Sequence, residues 1–349
     1  MEKELQLKNK KFPKKELIVR ILTATVFIVI TILFLLPASY INFGSGSPNN
    51  INSFIKYDYF FLTILGLLLG YIIFEIVNFT SPFKKDRRIF LVNFFYLEIV
   101  FLILYGFIAA YFIIDYNPLW AKPNLEAQDF GYNSDINYLL IYLFFFSIIY
   151  LLINVGFSNE IKDSMINLIV SYLGLLFIFS IIFLTICFGF TVILLVMLTT
   201  AFIDIFAYFG GKIFGKEKIF ANASPNKTYA GFLIGLLSGF LFSLFFYFVF
   251  VANMESSNLY FLNDQRYLDL LENNAYLIID LNIKIVALMI ITIISAPFGD
   301  LFFSKIKRNF DQKDFSKILP GHGGLLDRID SHIFTYTIFS FGLLFIVFI

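Results

Sequence analysis

Charge is scarce in this sequence. Only 15% of its 349 residues are Asp, Glu, Lys or Arg, whereas 59% are hydrophobic and 49 are phenylalanine. Soluble domains sit nearer a quarter charged and seldom repeat apolar runs of about 18 residues or more. A water-soluble globular protein is therefore excluded, and an all-α polytopic membrane protein is expected. Cysteine is scarcer still. The single Cys187 rules out an intrachain disulfide and reads as a small hydrophobe within an apolar run. A small-residue cleavage site is missing after the Lys-rich first 16 residues, so the first apolar run reads as a retained span and not a removed signal peptide. No internal repeat appears at the level of motif, which argues against a transporter built from duplicated halves and favours one integral membrane domain over 1–349. The net charge of +1 identifies no partner, because in a membrane protein the distribution of charge matters more than its sum.

Apolar runs able to cross about 30 Å of hydrocarbon occupy 17–36, 59–79, 89–114, 138–157, 230–252, 283–303 and 333–349. A further run, 165–209, would be about 68 Å long as one helix, twice the bilayer core. Splitting it near Phe188-Gly189-Phe190 gives nine spans. Charge tests the count. With the N-terminus inside, 22 of the 26 Lys and Arg fall in inner segments, and only Lys56, Lys122, Arg266 and Lys284 fall outside. Leaving the long run whole would divide them 14 to 12, and the positive-inside bias would vanish. The expectation is nine helices, N-terminus cytoplasmic and C-terminus outside. The outer loops 37–58, 115–137 and 253–281 read as solvated connectors.

Polar residues able to do chemistry collect in the last two cytoplasmic loops and the span ends beside them, a motif-bearing half over about 200–331. Asp204 lies near the inner end of span six, where a carboxylate costs a few kcal/mol and normally faces a cavity or a cation. Gly210, Gly211 and Gly215 follow, with Lys212, Lys216, Lys218 and Lys227. A juxtamembrane loop drawn to anionic lipid explains Lys212 to Lys218 equally well, but it does not explain an aspartate. Asp300 repeats the placement at the inner end of span eight, followed by Lys305, Lys307, Arg308 and Lys313. His322 then sits among glycines, and Asp327 and Asp330 share one helix face at i, i+3. Converging carboxylates suit Mg²⁺, which takes one or two and completes its octahedron with water and phosphate oxygens. Glycine-flanked backbone N–H groups suit an anion, and arginines bind phosphate bidentately. Together these point to phosphoryl or nucleotidyl transfer; spacing alone does not separate the two.

Ser304-Lys305-Ile306-Lys307-Arg308, then Lys313-Asp314, Ser316, Leu319-Pro320, His322-Gly323-Gly324 and Asp327-Arg328-Ile329-Asp330 resemble the signature of the phosphatidate cytidylyltransferases, or CDP-diacylglycerol synthases, without a gap. Asp204, Ala207-Tyr208, Gly210, Gly215, Ser224-Pro225-Asn226-Lys227-Thr228 and Gly231 are similar to the family's upstream motif. Two positions depart from it: Ala230 and Phe303 stand where the family usually carries acids.

The resemblance implies CTP and phosphatidate as partners, CDP-diacylglycerol and pyrophosphate as products, and Mg²⁺ as cofactor, with scope for a second cation. On it, Asp204, Asp300, Asp327 and Asp330 are expected to hold metal, and Asp300, Asp327, Asp330 and His322 to serve the chemistry. Ser224, Lys227, Lys307, Arg308, Lys313, Gly323, Gly324 and Arg328 are expected to bind substrate. A bacterial cell membrane, a cytoplasmic active site and a homodimer are further expectations; nucleic acid is not among the partners. A CTP-dependent lipid kinase is the rival enzyme, and a lipid transporter or scramblase the rival outside catalysis. Glu75 and Glu98, acids inside other spans, could line the same cavity, but they are read as pairing with polar neighbours within the bundle and are given no part in the site.

Overall fold

A computed structural model describes residues 51–81, 87–114, 145–155, 161–220, 224, 227–251, 275–317 and 323–348. The elements are α1 (Ile51–Thr80), α2 (Arg87–Ile114), α3 (Phe145–Val155), α4 (Ile161–Phe214), α5 (Tyr229–Phe246), α6 (Ala275–Asn309) and α7 (Leu326–Phe348). No strand occurs among the described residues; a single antiparallel bridge joins Lys218 and Thr228. Hydrocarbon offers the backbone no hydrogen-bond partners, so a spanning chain must satisfy itself internally, and helices do so.

Among the described residues, seven helical stretches are long and apolar enough to cross a bilayer: Phe61–Thr80, Arg87–Gly106, Ile161–Thr185, Phe188–Phe214, Tyr229–Val251, Asp280–Asn309 and Leu326–Ile346. The protein is thus a multi-pass membrane protein. These seven match seven of the nine expected spans. Of the fourth, 138–157, the apolar stretch Phe145–Val155 is described; the first, 17–36, lies outside the described residues.

The long apolar run divides where length and charge required. Within α4, Gly189 adopts φ 75° and ψ −180°, a region essentially closed to residues with a Cβ. Two spanning arms result. The helix α7 lies along both. Its Ser340 hydroxyl donates to the Ser180 carbonyl at 3.4 Å, its Tyr336 hydroxyl to the Ile193 carbonyl at 3.1 Å, and Thr200 pairs with Thr335 at 3.0 Å. Hydroxyl bonds of this kind matter in a bilayer, where apolar burial gives helices no preference for one another over lipid.

Packing then brings four helix ends together. The helix α4 packs on α5, α7 and α1, and α6 packs on α7 and α5. Small residues Gly231, Gly235, Gly239 and Ser243 form the buried face of α5, so it lies close on the second arm of α4. A Cβ at Gly299 would come within 2.9 Å of the Asp330 carbonyl; its absence lets α6 abut α7 one residue before Asp300. Near the same end of α1, the Thr80 hydroxyl donates to Asn167 at 2.8 Å and Asn167 to the Tyr150 hydroxyl at 3.4 Å, linking α1, α4 and α3.

Candidate active site

The second arm of α4 supplies Asp204, α6 supplies Asp300, Ser304 and Lys307, and α7 supplies Asp327, Asp330 and Ser331. Lys227 comes from the turn before α5. That turn is folded back on itself: Ile219 N–H donates to the Lys227 carbonyl at 2.9 Å and Tyr229 N–H to the Glu217 carbonyl at 3.1 Å. Thr228 caps α5, its hydroxyl accepting from Gly231 N–H at 3.2 Å. The cap aims Lys227 at α6, where its Nζ lies 2.6 Å from Asp300 Oδ2. Ser304 donates to the other oxygen of Asp300 at 3.2 Å.

Asp204 and Asp330 complete this group. The Ser331 hydroxyl donates to Asp204, which also feels the charges of Asp300 and Lys227. Asp204 is exposed on the second arm of α4. Asp330 is buried, accepts from Ser331 N–H at 2.8 Å, and interacts with Asp300, Asp204 and Lys307. Three carboxylates from three helices therefore share two lysines.

Lys307 is the inner of those lysines. Its Nζ sits 2.7 Å from Asp327 Oδ1, 3.9 Å from Asp330 Oδ2 and 5.2 Å from the centre of the Phe315 ring. Asp327 is heavily occupied. Its Oδ2 accepts from Phe315 N–H at 2.9 Å and Gly324 N–H at 2.8 Å, so its carboxylate ties the chain after α6 to the start of α7. Gly323 has φ +83°, a conformation that glycine adopts without strain. The Gly324 N–H is directed to Asp327.

Glu75, which sequence reasoning set aside, reaches the same turn from α1. Its Oε1 accepts from the Ser316 hydroxyl at 2.6 Å and its Oε2 from Leu326 N–H at 2.8 Å. Glu98 differs from the expectation of a polar partner. Its Oε2 is buried without a hydrogen-bond partner among the described residues, beside Gly70, and nothing in the structure accounts for it.

The remaining expected residues divide. Arg308, Lys313 and Arg328 are exposed around the mouth; Arg308 Nη1 donates to the Gln312 carbonyl at 3.4 Å. Ser224 is half-buried in the folded turn, where its carbonyl accepts from Lys227 N–H at 3.3 Å. His322 lies outside the described residues. Phe303 is fully buried, edge-on to Phe315 at 6.0 Å and to Phe334 at 6.3 Å, so that position contributes packing and no charge.

No group of three or more His, Cys, Asp or Glu side chains among the described residues forms a ready-made metal cage. The donor set still fits Mg²⁺. It is all carboxylate oxygen, and the ion needs only one or two of these beside water and phosphate. Meanwhile Lys227 places an ammonium against Asp300, a cation of the sign the carboxylates favour.

The described structure is thus that of a helical multi-pass membrane protein with aspartates and lysines gathered at the ends of its spans. The chain belongs to the cytidylyltransferase family, whose pattern matches residues 20–346. It is 37% identical over 139 residues to a phosphatidate cytidylyltransferase of Rickettsia bellii, covering 40% of this chain and 52% of that one. A phosphatidate cytidylyltransferase of Staphylococcus saprophyticus is 36% identical over 145 residues, covering 41% of this chain and 45% of the other. Matched in this way, the chain spans about half the length of these relatives.

Proposed function

We propose that the protein is a CTP:phosphatidate cytidylyltransferase that forms CDP-diacylglycerol and pyrophosphate. The observation carrying this reading is the meeting of Asp204, Asp300 and Asp330 with Lys227 and Lys307 at one end of apolar helices. A phosphate oxygen of phosphatidate attacks the α-phosphorus of CTP. A new P–O–P link forms, the bond from the α-phosphorus to the bridging oxygen breaks, and pyrophosphate leaves with its electron pair. Both reactants are anions, so fixed positive charge must offset their repulsion and the charge that develops on the leaving group.

Lys227 is in place to meet the charge on the leaving group and Lys307 to hold the nucleotide's phosphates, each lysine positioned by an aspartate. Arg308, Lys313 and Arg328, exposed at the rim, suit the incoming triphosphate, with Ser224 and Gly323 beside the approach. Asp204, Asp300 and Asp330 are the residues that would hold Mg²⁺, while Asp327 serves first to organise the turn. The cation would neutralise phosphate oxygens and align the two reactants. His322 is assigned to orient phosphate or to move a proton. The lipid stays in the bilayer while CTP arrives from water, and a mouth at helix ends serves both. The charge bias of the loops supports nine spans with this mouth facing the cytoplasm.

The test uses purified protein in detergent with phosphatidate, Mg²⁺ and CTP labelled in turn at its α and γ phosphates. Label from the α-phosphate is expected in the lipid and label from the γ-phosphate in pyrophosphate. Entry of the γ label into lipid would instead identify a kinase, and entry of neither would overturn the enzymatic reading.

A further inference from the structure

We propose that Glu75 is a positioning residue: a carboxylate delivered by α1 that clasps the turn between α6 and α7 and thereby sets Lys307 for the nucleotide. The inference rests on the function proposed above.

A buried carboxylate inside an apolar span is costly unless its lone pairs are filled. Glu75 is 1% exposed, and the groups that fill it belong to the turn. Ser316 on one side donates at 2.6 Å; Leu326 N–H on the other donates at 2.8 Å, and Leu325 N–H points to the same carboxylate. These partners lie 241 and 251 residues away in sequence.

The first N–H groups of a helix have no intrahelical acceptor and favour a negative charge nearby. The side chains at the start of α7, Leu325 and Leu326, cannot cap it. Glu75 caps it from another helix. The fit is close on the turn's side as well: a Cβ on Gly324 would stand 1.7 Å from Glu75 Oε1 and 2.8 Å from the Ser316 hydroxyl. Only glycine leaves room for the carboxylate there.

The clasp interlocks with Asp327. Glu75 joins 316 to 326, and Asp327 joins 315 to 324 while holding Lys307 at 2.7 Å. Fixing Leu326 fixes the adjacent Asp327, and Asp327 fixes Lys307. The hydrogen bonds of Glu75 run to the turn and to none of the three shared aspartates. Its effect passes through hydrogen bonds, which sets what its replacement should change.

The experiment compares Glu75→Ala, Glu75→Gln and Ser316→Ala with the parent in the labelled-CTP assay, reading KM for CTP apart from kcat. Loss of the clasp in Glu75→Ala is expected to raise KM for CTP about 10-fold and to change kcat less. Glutamine can turn its oxygen to Leu326 N–H and its amide to Ser316, whose hydroxyl then accepts, so Glu75→Gln should restore KM to within about threefold of the parent. Ser316→Ala, which removes one link and leaves the span intact, should raise KM about threefold, and it answers the question even where Glu75→Ala does not fold. A lower kcat at unchanged KM in both alanine variants would overturn the proposal, as would a glutamine variant no better than alanine.

Should the parent transfer no label, the function reading fails and the clasp is judged alone. In a Cys187→Ser background, Leu325→Cys, half-buried beside the clasp, is labelled with a water-soluble maleimide, with and without Glu75→Ala or Ser316→Ala. Labelling at least about fivefold faster in either variant supports the clasp, since reactivity follows access; an unchanged rate in both overturns it.

Discussion

Lys227 and Lys307 carry the same charge and differ in burial, and the difference separates activity from stability. The Lys227–Asp300 pair keeps about a quarter of each side chain exposed, whereas Lys307 and Asp327 are 10% and 5% exposed. An exposed pair is worth about 0–1 kcal/mol, while removing one partner of a buried pair costs about 3–5 kcal/mol. Lys307→Met strands Asp327 and Asp330 together, so it should sharply lower the heating temperature at which detergent-purified protein drops out of the monodisperse peak. Lys227→Met should leave that temperature nearly unchanged and still lower kcat about 100-fold, the scale for losing one preorganised group at a charged transition state. Equal thermal losses in both variants would contradict the assignment. Much at this scale was legible beforehand: Asp204 and Asp300 stood out as acids at the ends of apolar runs. Which lysine met which aspartate was not legible, because that depends on how α5 and α6 rotate against one another. Glu75 left one usable signal, since a carboxylate inside a span demands partners, but its partners lie far along the chain and only packing brings them within reach.

Among the elements, α4 is where length, charge and backbone chemistry converge. A run too long for one crossing, and a loop charge bias that fails without a break, already locate its division near Gly189. The reason for that residue emerges in three dimensions, as φ 75° with ψ −180°. Gly189→Ala is therefore expected to cost about 1–3 kcal/mol, and to loosen the bonds of α7 to both arms through Ser180 and Ile193. Gly106 on α2 is the control. Its absent Cβ would meet nothing within 4 Å, so Gly106→Ala should be neutral or stabilise by up to about 1 kcal/mol. Thermal dispersity of the two variants in one detergent checks both; an equal shift would mean that the kink is not glycine-dependent. The glycines near 324 show the reverse limit of sequence reading. Their presence signalled a tight polar turn, but a turn that cradles an outside anion and a turn that cradles its own Glu75 and Asp327 need the same residues.

On the scale of the whole molecule, the proposed chemistry requires water-borne CTP and bilayer-borne lipid to meet at one face, and α6 provides the measure of that geometry. Its apolar stretch Asp280–Asn309 has 30 residues, about 45 Å at 1.5 Å per residue, enough to place its ends on opposite sides of about 30 Å of hydrocarbon. At its first end, Lys284 is neutralised by Asp280 at 2.8 Å. At its last stand Lys305, Lys307 and Arg308, beside Lys313 and across from the Lys216 turn after α4. Positive loops are retained inside, so the aspartate mouth should face the cytoplasm and Asp280 the exterior. Single cysteines in a Cys187→Ser background test this in intact bacteria expressing the chain. An impermeant maleimide should label Asp280→Cys before lysis, and Lys216→Cys and Lys313→Cys only after it. Labelling of 216 and 313 on opposite sides would break the shared mouth and the proposed reaction with it. Labelling of both from outside would keep the mouth whole and turn it away from the CTP pool, leaving the fold intact and the assigned substrate wrong.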